Sequence, residues 1–525
     1  MGQPMRILWA NSAGASKSVN YLRWLHGVSS VDGRNVEHIR MVLPEGSPLT
    51  LSAARIAAVS AGREFYSGEH DGSYALDESS RADEGLINAY SYLTHLTASS
   101  LFKVHPSLAM SRAYRETFRR RLSKALRLRL RPTLASSAEI DLQNLDALFE
   151  RLNRLLGDKA SRDHVAGVRQ LRRLAEWHAP QDPGLEHVLE FSGADCVVVS
   201  KLYFPTETHV MDVRVALAAR RRGTPVVMIP YSWDNGTTKG TTSVSPDGAV
   251  YWNATLAEEA ARLHGLDVPY RIGGAYRFSE AHRRYLDAVR DARPADPYDA
   301  TVLILGSSGS MGQGEPEVLL AACQELIGAA QHGGVRLRVV MRKHPKHPPM
   351  TPEVAKGFQD LAPDVTVDVR GQIENLADAI MAADVVIGVN SSAILEAALS
   401  GKSTIILVDG KFDVWQRNAP HFQYLLDSGM GTASIAELPH RVSSLIESRT
   451  EDPSSAAFVR DFLGNPAGPP DARERTVAAI AELATELVAG PVRRIGASPQ
   501  SASPALAIDA FVRDSNDLLE GQYGL

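Results

Sequence analysis

Asn390-Ser391-Ser392, with Glu396 following, brings together side chains suited to holding a phosphorylated, hydroxyl-rich ligand. They come directly after the apolar run Val385–Val389, which reads as a buried strand, and the residues after them carry a helical pattern. A serine at the helix start caps the first turn and leaves amides facing an anion. Glu396 lies four residues past Ser392, on the same face, where a carboxylate can accept both hydroxyls of a ribose. Two further strand ends carry matching chemistry. Thr301–Leu305 runs into Gly306-Ser307-Ser308-Gly309-Ser310, small residues that let backbone amides approach a phosphate, although the loop serves equally well as a plain turn. Leu337–Met341 runs into Arg342-Lys343-His344-Pro345-Lys346-His347, cations placed where a diphosphate needs its charge neutralised.

These segments need a scaffold that brings strand ends to one edge. Strand-like runs separated by helical stretches recur from Thr301 to Val408, the rhythm of a doubly wound parallel sheet whose ligands sit beyond the carboxyl ends of its strands. The same rhythm opens the chain at Arg6–Ala10 and resumes at Asp195–Ser200 and Thr224–Pro230. The expected fold class is therefore α/β, with two Rossmann-like doubly wound domains facing across a cleft. Residues 1–280 form the first, with a helical insertion at about 50–190. Residues 281–490 form the second, and 491–525 form a tail that leaves the core and docks a short helix. The first loop, from Asn11 to Ser18, has no glycine directly before Lys17 and is not a P-loop.

The first domain has its own candidates. Tyr231-Ser232-Trp233-Asp234-Asn235-Gly236 follows the strand Val226–Ile229, and Lys239 comes shortly after. Asp234 is the candidate general base toward an acceptor hydroxyl, with Glu207 and His209 as rivals. Ser12, Trp233, Asn235 and Lys239 are the candidates for the acceptor side. Asn and Asp also stabilise turns on their own, and that reading stays open here.

The C-terminal half resembles GT-B-fold glycosyltransferases. Glu396, small residues, Gly401 five positions on and the β-branched run after Lys402 match the segment that holds the donor ribose in that group. The version with two glutamates fails, because position 388 is Gly. His344-Pro345 together with Ser391-Ser392 is similar to bacterial sialyltransferases and CDP-glycerol glycerophosphotransferases, in which these residues meet the donor phosphate. The Ser-Trp-Asp-Asn turn resembles surface-polysaccharide glycosyltransferases of the same superfamily. The resemblance implies a nucleotide-sugar donor and a carbohydrate or lipid-linked acceptor. His344 would then serve catalysis, and Gly306–Ser310, Arg342, Lys343, His344, Asn390, Ser391, Ser392 and Glu396 would bind the donor. A glycerophosphotransferase or sugar-nucleotide epimerase on the same fold, and a catalytically silent scaffold, are the alternatives.

Composition narrows the classes. The 525 residues are 44% hydrophobic and 22% charged with a net charge of −5, a globular balance that gives no reason to expect nucleic-acid binding. Cys196 and Cys323, the only cysteines, sit in apolar runs and read as buried thiols. No Asp-x-Asp follows a strand and no His/Cys ligand cluster is evident, so no metal and no cofactor is expected. No signal segment and no spanning run is apparent, which implies a cytoplasmic protein. Residues 112–131 hold eight arginines and one lysine against one glutamate. They carry an apolar stripe of Tyr114, Phe118, Leu122, Ala125 and Leu126, which suits either packing on the first domain with a solvated arginine face or contact with the inner face of a membrane.

Overall fold

The computed structural model describes residues 4–10, 25, 28–31, 33–41, 56–60, 63–66, 78–104, 112–157, 163–203, 210–278, 298–307, 314–344, 350–369, 376–389, 391–409, 420–427, 430–448, 453–461, 463–464, 472–491 and 494–525. The chain divides into two compact units, one of residues 1–277 with 470–525 and the other of 278–469. Each is an α/β domain built on a Rossmann-like sheet, the pair of folds expected from the sequence.

The strands of the first unit are β1 (Met5–Trp9), β2 (Ser30–Val31), β3 (Arg34–Met41), β4 (Ile56–Ser60), β5 (Arg63–Tyr66), β6 (Cys196–Val199), β7 (Val226–Met228), β8 (Gly248–Tyr251) and β9 (Tyr270–Ile272). Their order is β5-β4-β3-β1-β6-β7-β8-β9, with β2 beside β3. From β3 to β9 all pairs are parallel, whereas β4 and β5 extend the edge antiparallel. The stretch expected to be helical from about residue 50 thus begins with two strands, and helices fill it from Glu78 to Ser192. Their ends follow from local chemistry. Asp182 accepts the Leu185 amide ahead of Pro183, and Gly193, at φ 55°, ends the same helix.

The second unit contains β10 (Ala300–Leu305), β11 (Leu337–Lys343), β12 (Val365–Val369), β13 (Val385–Gly388), β14 (Ser403–Leu407) and β15 (Thr432–Ala433). All pairs are parallel in the order β12-β11-β10-β13-β14-β15. Counted within the domain this is 3-2-1-4-5-6, the order of dinucleotide-binding domains. Alternation explains why its strands read as unbroken apolar runs. Val302 and Ile304 face one helical layer while Leu303 and Leu305 face the other, so both faces are buried.

One device recurs at the start of the parallel strands in both units. Asp195, Asp247, Asp299 and Asp384 each stand one residue before a strand. Each donates its amide to a neighbouring strand's carbonyl and accepts that same residue's amide on its carboxylate. The partners are Arg6, Val226, Arg336 and Thr301, at 2.8–3.0 Å. Each pair closes a ring that pins the register of the two strands at their base.

The C-terminal residues differ from the expected tail. The helix Pro504–Tyr523 buries Ile508, Phe511 and Leu519 against helices of the first unit, Phe511 meeting the Tyr90 ring at 5.7 Å. Its buried positions 505, 508, 512, 515 and 519 follow the three-to-four spacing of a packed helix. The helix Ala472–Ala489 also belongs to the first unit. Thr476 closes on Gly273, and Leu483 on Gly248, where an added Cβ would lie 2.6 Å from each.

Two outcomes follow. Asp384→Ala should lower stability by about 1–3 kcal/mol by orphaning the Thr301 amide, whereas Asp384→Asn, which keeps an acceptor, should cost less. Denaturant midpoints of the two variants measure this, and equal losses would contradict the ring. Phe511→Ala should cost about 3–5 kcal/mol. A melting temperature unchanged by that substitution would mean that the helix is not part of the core.

Candidate functional site

In the second unit β10 lies between β11 and β13, so the connections leaving β10 and β13 run to opposite sides and open a crevice at their carboxyl ends. Gly306 and Ser307 end β10, and Ser391 and Ser392 follow β13 closely, so these candidates flank the switch point. Arg342 and Lys343 close the adjacent strand β11 and His344 follows it, all half-buried. The Gly306 amide donates to the Arg342 carbonyl at 2.9 Å, which ties the end of β10 to that of β11.

Ser391 and Ser392 are half-buried at the start of the helix Ala393–Leu399. Ser392 holds the cap position without a side-chain cap bond, and the Ser391 hydroxyl accepts the Ala393 amide at 3.3 Å. Gly388 permits this close turn, since a Cβ there would stand 3.3 Å from Ile394. Glu396, also half-buried, lies one helical turn beyond Ser392. The five-residue spacing to Gly401 has a backbone cause. The helix stops at Leu399, and Gly401 takes φ 66° to turn the chain into β14, while Lys402 donates to the Met381 carbonyl at 2.7 Å.

The loop after β10 differs from the phosphate cradle expected of it at Ser307. That residue is buried, and its amide donates to both oxygens of Glu315, at 3.1 and 2.9 Å. Glu315 is fully buried and opens the helix Glu315–His332, with Glu317 in the same turn. This helix start is therefore occupied by acids. The sequence reading missed Glu315 because an acid in a first turn is ordinary.

In the first unit the Ser-Trp-Asp-Asn segment forms a closed turn. The Asn235 side chain accepts the Ser232 amide at 2.8 Å, and Thr238 donates to the Asp234 carboxylate at 2.8 Å. Trp233 and Asn235 are buried, Asp234 and Lys239 half-buried. Asn235 thus holds the turn and Trp233 is buried in it, whereas the sequence reading placed both on the acceptor side. Ser12, Glu207, His209, Ser308, Gly309, Ser310 and Asn390 lie outside the described residues.

Strand ends along this edge also bring together residues far apart in the chain. Lys201, after β6, and Arg277, after β9, lie against the Tyr231 ring at 5.9 and 4.8 Å. The amides of Ser200 and Lys201 both donate to the buried Asp212 at 2.8 Å, fixing the end of β6. Burial lowers the Lys201 pKa, against the pull of Asp212. Positions 201, 231 and 277 share no periodicity, so only the sheet makes the cluster visible.

Beneath the turn lies a buried polar layer. Arg172 donates to the carbonyls of Thr242 and His264 at 3.3 and 2.7 Å, and burial lowers its pKa to about 10. His264 stacks on Phe102 at 4.4 Å, and burial, then the Arg172 charge, push its pKa well down. Lys103 is fully buried over Phe102, and desolvation, then Lys239 and Arg121, lower its pKa to about 7. Gly240, at φ 130°, closes on Ser99, where a Cβ would lie 2.5 Å from the hydroxyl. No group of three or more His, Cys, Asp or Glu side chains suited to a metal occurs among the described residues. Cys196 and Cys323 are free and buried.

No family model matches the chain, and no curated protein matches it. Among solved structures it is similar to MurG of Acinetobacter baumannii, at 15% identity over 63% of this chain and 88% of that one, TM-score 0.36. It is also similar to the UDP-GlcNAc 2-epimerase of Neisseria meningitidis bound to UDP-GlcNAc, at 14% identity over 64% and 88%, TM-score 0.39. The S. aureus MnaA–UDP structure matches at 15% identity over 66% and 88%, TM-score 0.38. Similarity at this level assigns the chain to no family.

The lowered pKa of Lys103 sets a pH dependence. Between about 7 and 10.5 the folded state binds fewer protons at this residue than the unfolded state, so its contribution to stability rises with pH across that window. Lys103→Met should remove the rise and melt at or above the wild-type temperature at neutral pH. Parallel melting profiles for the two proteins from neutral to alkaline pH would contradict the buried, deprotonating lysine.

Proposed function

We propose that the chain is an enzyme acting on a nucleotide sugar, with the nucleotide held at the β10–β13 switch point of the second unit. In this reading Glu396 accepts the ribose hydroxyls, and Ser391 and Ser392 meet a phosphate. Arg342, Lys343 and His344 neutralise the diphosphate as it leaves. The observation that carries the reading is the 3-2-1-4-5-6 strand order, with Ser391, Ser392 and Glu396 following β13 and the basic run closing β11.

Transfer of the sugar to a carbohydrate or lipid-linked acceptor is the leading reaction, with Asp234 as base. A second reading, epimerisation of the nucleotide sugar itself, is favoured by the closed turn around Asp234. That carboxylate already accepts Thr238, and its neighbours Trp233 and Asn235 are buried, whereas epimerisation requires no acceptor hydroxyl.

Calorimetry with UDP, GDP, CDP and CMP tests the shared part, and at least one should bind. Glu396→Ala should weaken that binding about tenfold to a hundredfold, the loss of one hydrogen bond to a charged group. His344→Ala should lower kcat about a hundredfold with little change in KM. Absence of binding by all four nucleotides, or undiminished affinity in the Glu396 variant, would sink the ribose assignment. Product NMR separates the two reactions. Nucleotide release that requires acceptor indicates transfer, and an inverted sugar formed without acceptor indicates epimerisation.

A further inference from the structure

The basic segment 112–131 folds as the helix Arg112–Ala125, a π-helical turn Leu126–Leu130 and the short helix Arg131–Leu134. Of its apolar stripe, Phe118, Leu122 and Ala125 are buried and Leu126 is half-buried; Leu130 is buried as well, and the segment packs on the helix Leu142–Gly157. These residues therefore face the protein, the packed-helix alternative of the sequence reading, and the outward face is cationic. Arg120, Lys124 and Arg127 line up along it at spacings of four and three. Leu128 protrudes beside them at 66% exposure. The alternating Leu-Arg run explains this, because a helix that buries Leu130 must turn Leu128 outward.

These residues, with Asn153 of the neighbouring helix, line an open cleft of about 500 Å³. Glu116 is the acid in that lining, and it pairs with Arg119 and Arg120 at 3.5 and 3.6 Å. A local excess of cations on a chain of net charge −5 is a patch, not a general property of the surface. We propose that this face docks the protein on an anionic lipid bilayer, phosphate headgroups entering the cleft and Leu128 entering the interface. A soluble polyanion would satisfy the arginines equally well, but it would leave an exposed leucine in their midst without a partner. A bilayer takes both. No helix among the described residues is long and apolar enough to cross a membrane, so the contact is superficial and electrostatic.

Flotation of the full-length protein with phosphatidylglycerol/phosphatidylcholine vesicles, against phosphatidylcholine alone, tests this at low (~0.05 M) and high (~0.5 M) salt. Binding should require phosphatidylglycerol and fall at high salt. Arg120→Glu, Lys124→Glu and Arg127→Glu together should lower partitioning by about a hundredfold or more. Leu128→Ser should lower it several-fold, and neither variant should change the melting temperature, since all four side chains are exposed. Equal binding to both vesicle types, or an undiminished triple variant, overturns the proposal. Heparin binding that Leu128→Ser leaves unchanged, with no vesicle binding, would replace the bilayer by a polyanion. If the triple variant fails to fold, the salt dependence and the Leu128 variant still decide.

Discussion

A parallel sheet places functional side chains at one edge only if its strands start in step. In this protein the step is set by aspartates standing one residue before β6, β8, β10 and β13. Each carries two bonds to a single residue of the neighbouring strand, one through its amide and one through its carboxylate. Around β10 two such rings act together, since Asp299 ties it to β11 and Asp384 ties it to β13. With the bases fixed, the far ends are fixed as well, and Leu305 of β10 comes level with Arg342 and Gly388. A slip of one residue would exchange the side chains packed on the two helical layers and separate the loops that follow the strands. At Asp299 the hydrogen bonds from the Arg336 side chain and amide hold the carboxyl below its usual range, so the ring carries charge even at an exposed position.

The two carboxyl edges that result are different in kind. In the second unit the side chains at the edge are half-buried and polar, with a serine pair, a glutamate and a short basic run. In the first unit the corresponding chemistry is folded inward. Arg172, His264 and Lys103 are sealed under the turn 231–243, and Lys201, also buried, lies with Arg277 against the Tyr231 ring. Desolvation accounts for the difference in behaviour, because it pushes buried cations toward neutrality while leaving exposed ones charged.

Much of the scaffold was legible because buried parallel strands are short, β-branched and apolar, and runs such as Val385–Val389 stand out without knowledge of any neighbour. Helix ends were legible where Asp, Ser or Gly punctuates them. The C-terminal helix was masked by the Pro/Ser/Ala-rich stretch before it, which reads as a tail although the spacing of Ile508, Val512, Ser515 and Leu519 is helical. For the site, Ser391, Ser392 and His344 could be found because each is close to its own strand. Glu315 and the Lys201–Tyr231–Arg277 cluster could not. An acid in a helix's first turn does not announce that it takes the Ser307 amide, and the cluster joins segments that only the strand order brings to one edge. The stripe of the basic helix was read correctly as apolar, but sequence periodicity does not say which surface it meets.

The division of the chain adds a constraint on how the protein comes into being. Residues 278–469 are contiguous, whereas the first unit is closed by the helices Ala472–Ala489 and Pro504–Tyr523. On the ribosome the second-synthesised unit can therefore finish folding while the first still lacks two of its helices. Until those helices arrive, Gly248 and Gly273 face no partner and the pocket for Phe511 is open. The usual amino-to-carboxyl order of domain folding is thereby inverted, and the unit that begins the chain is the last to be completed.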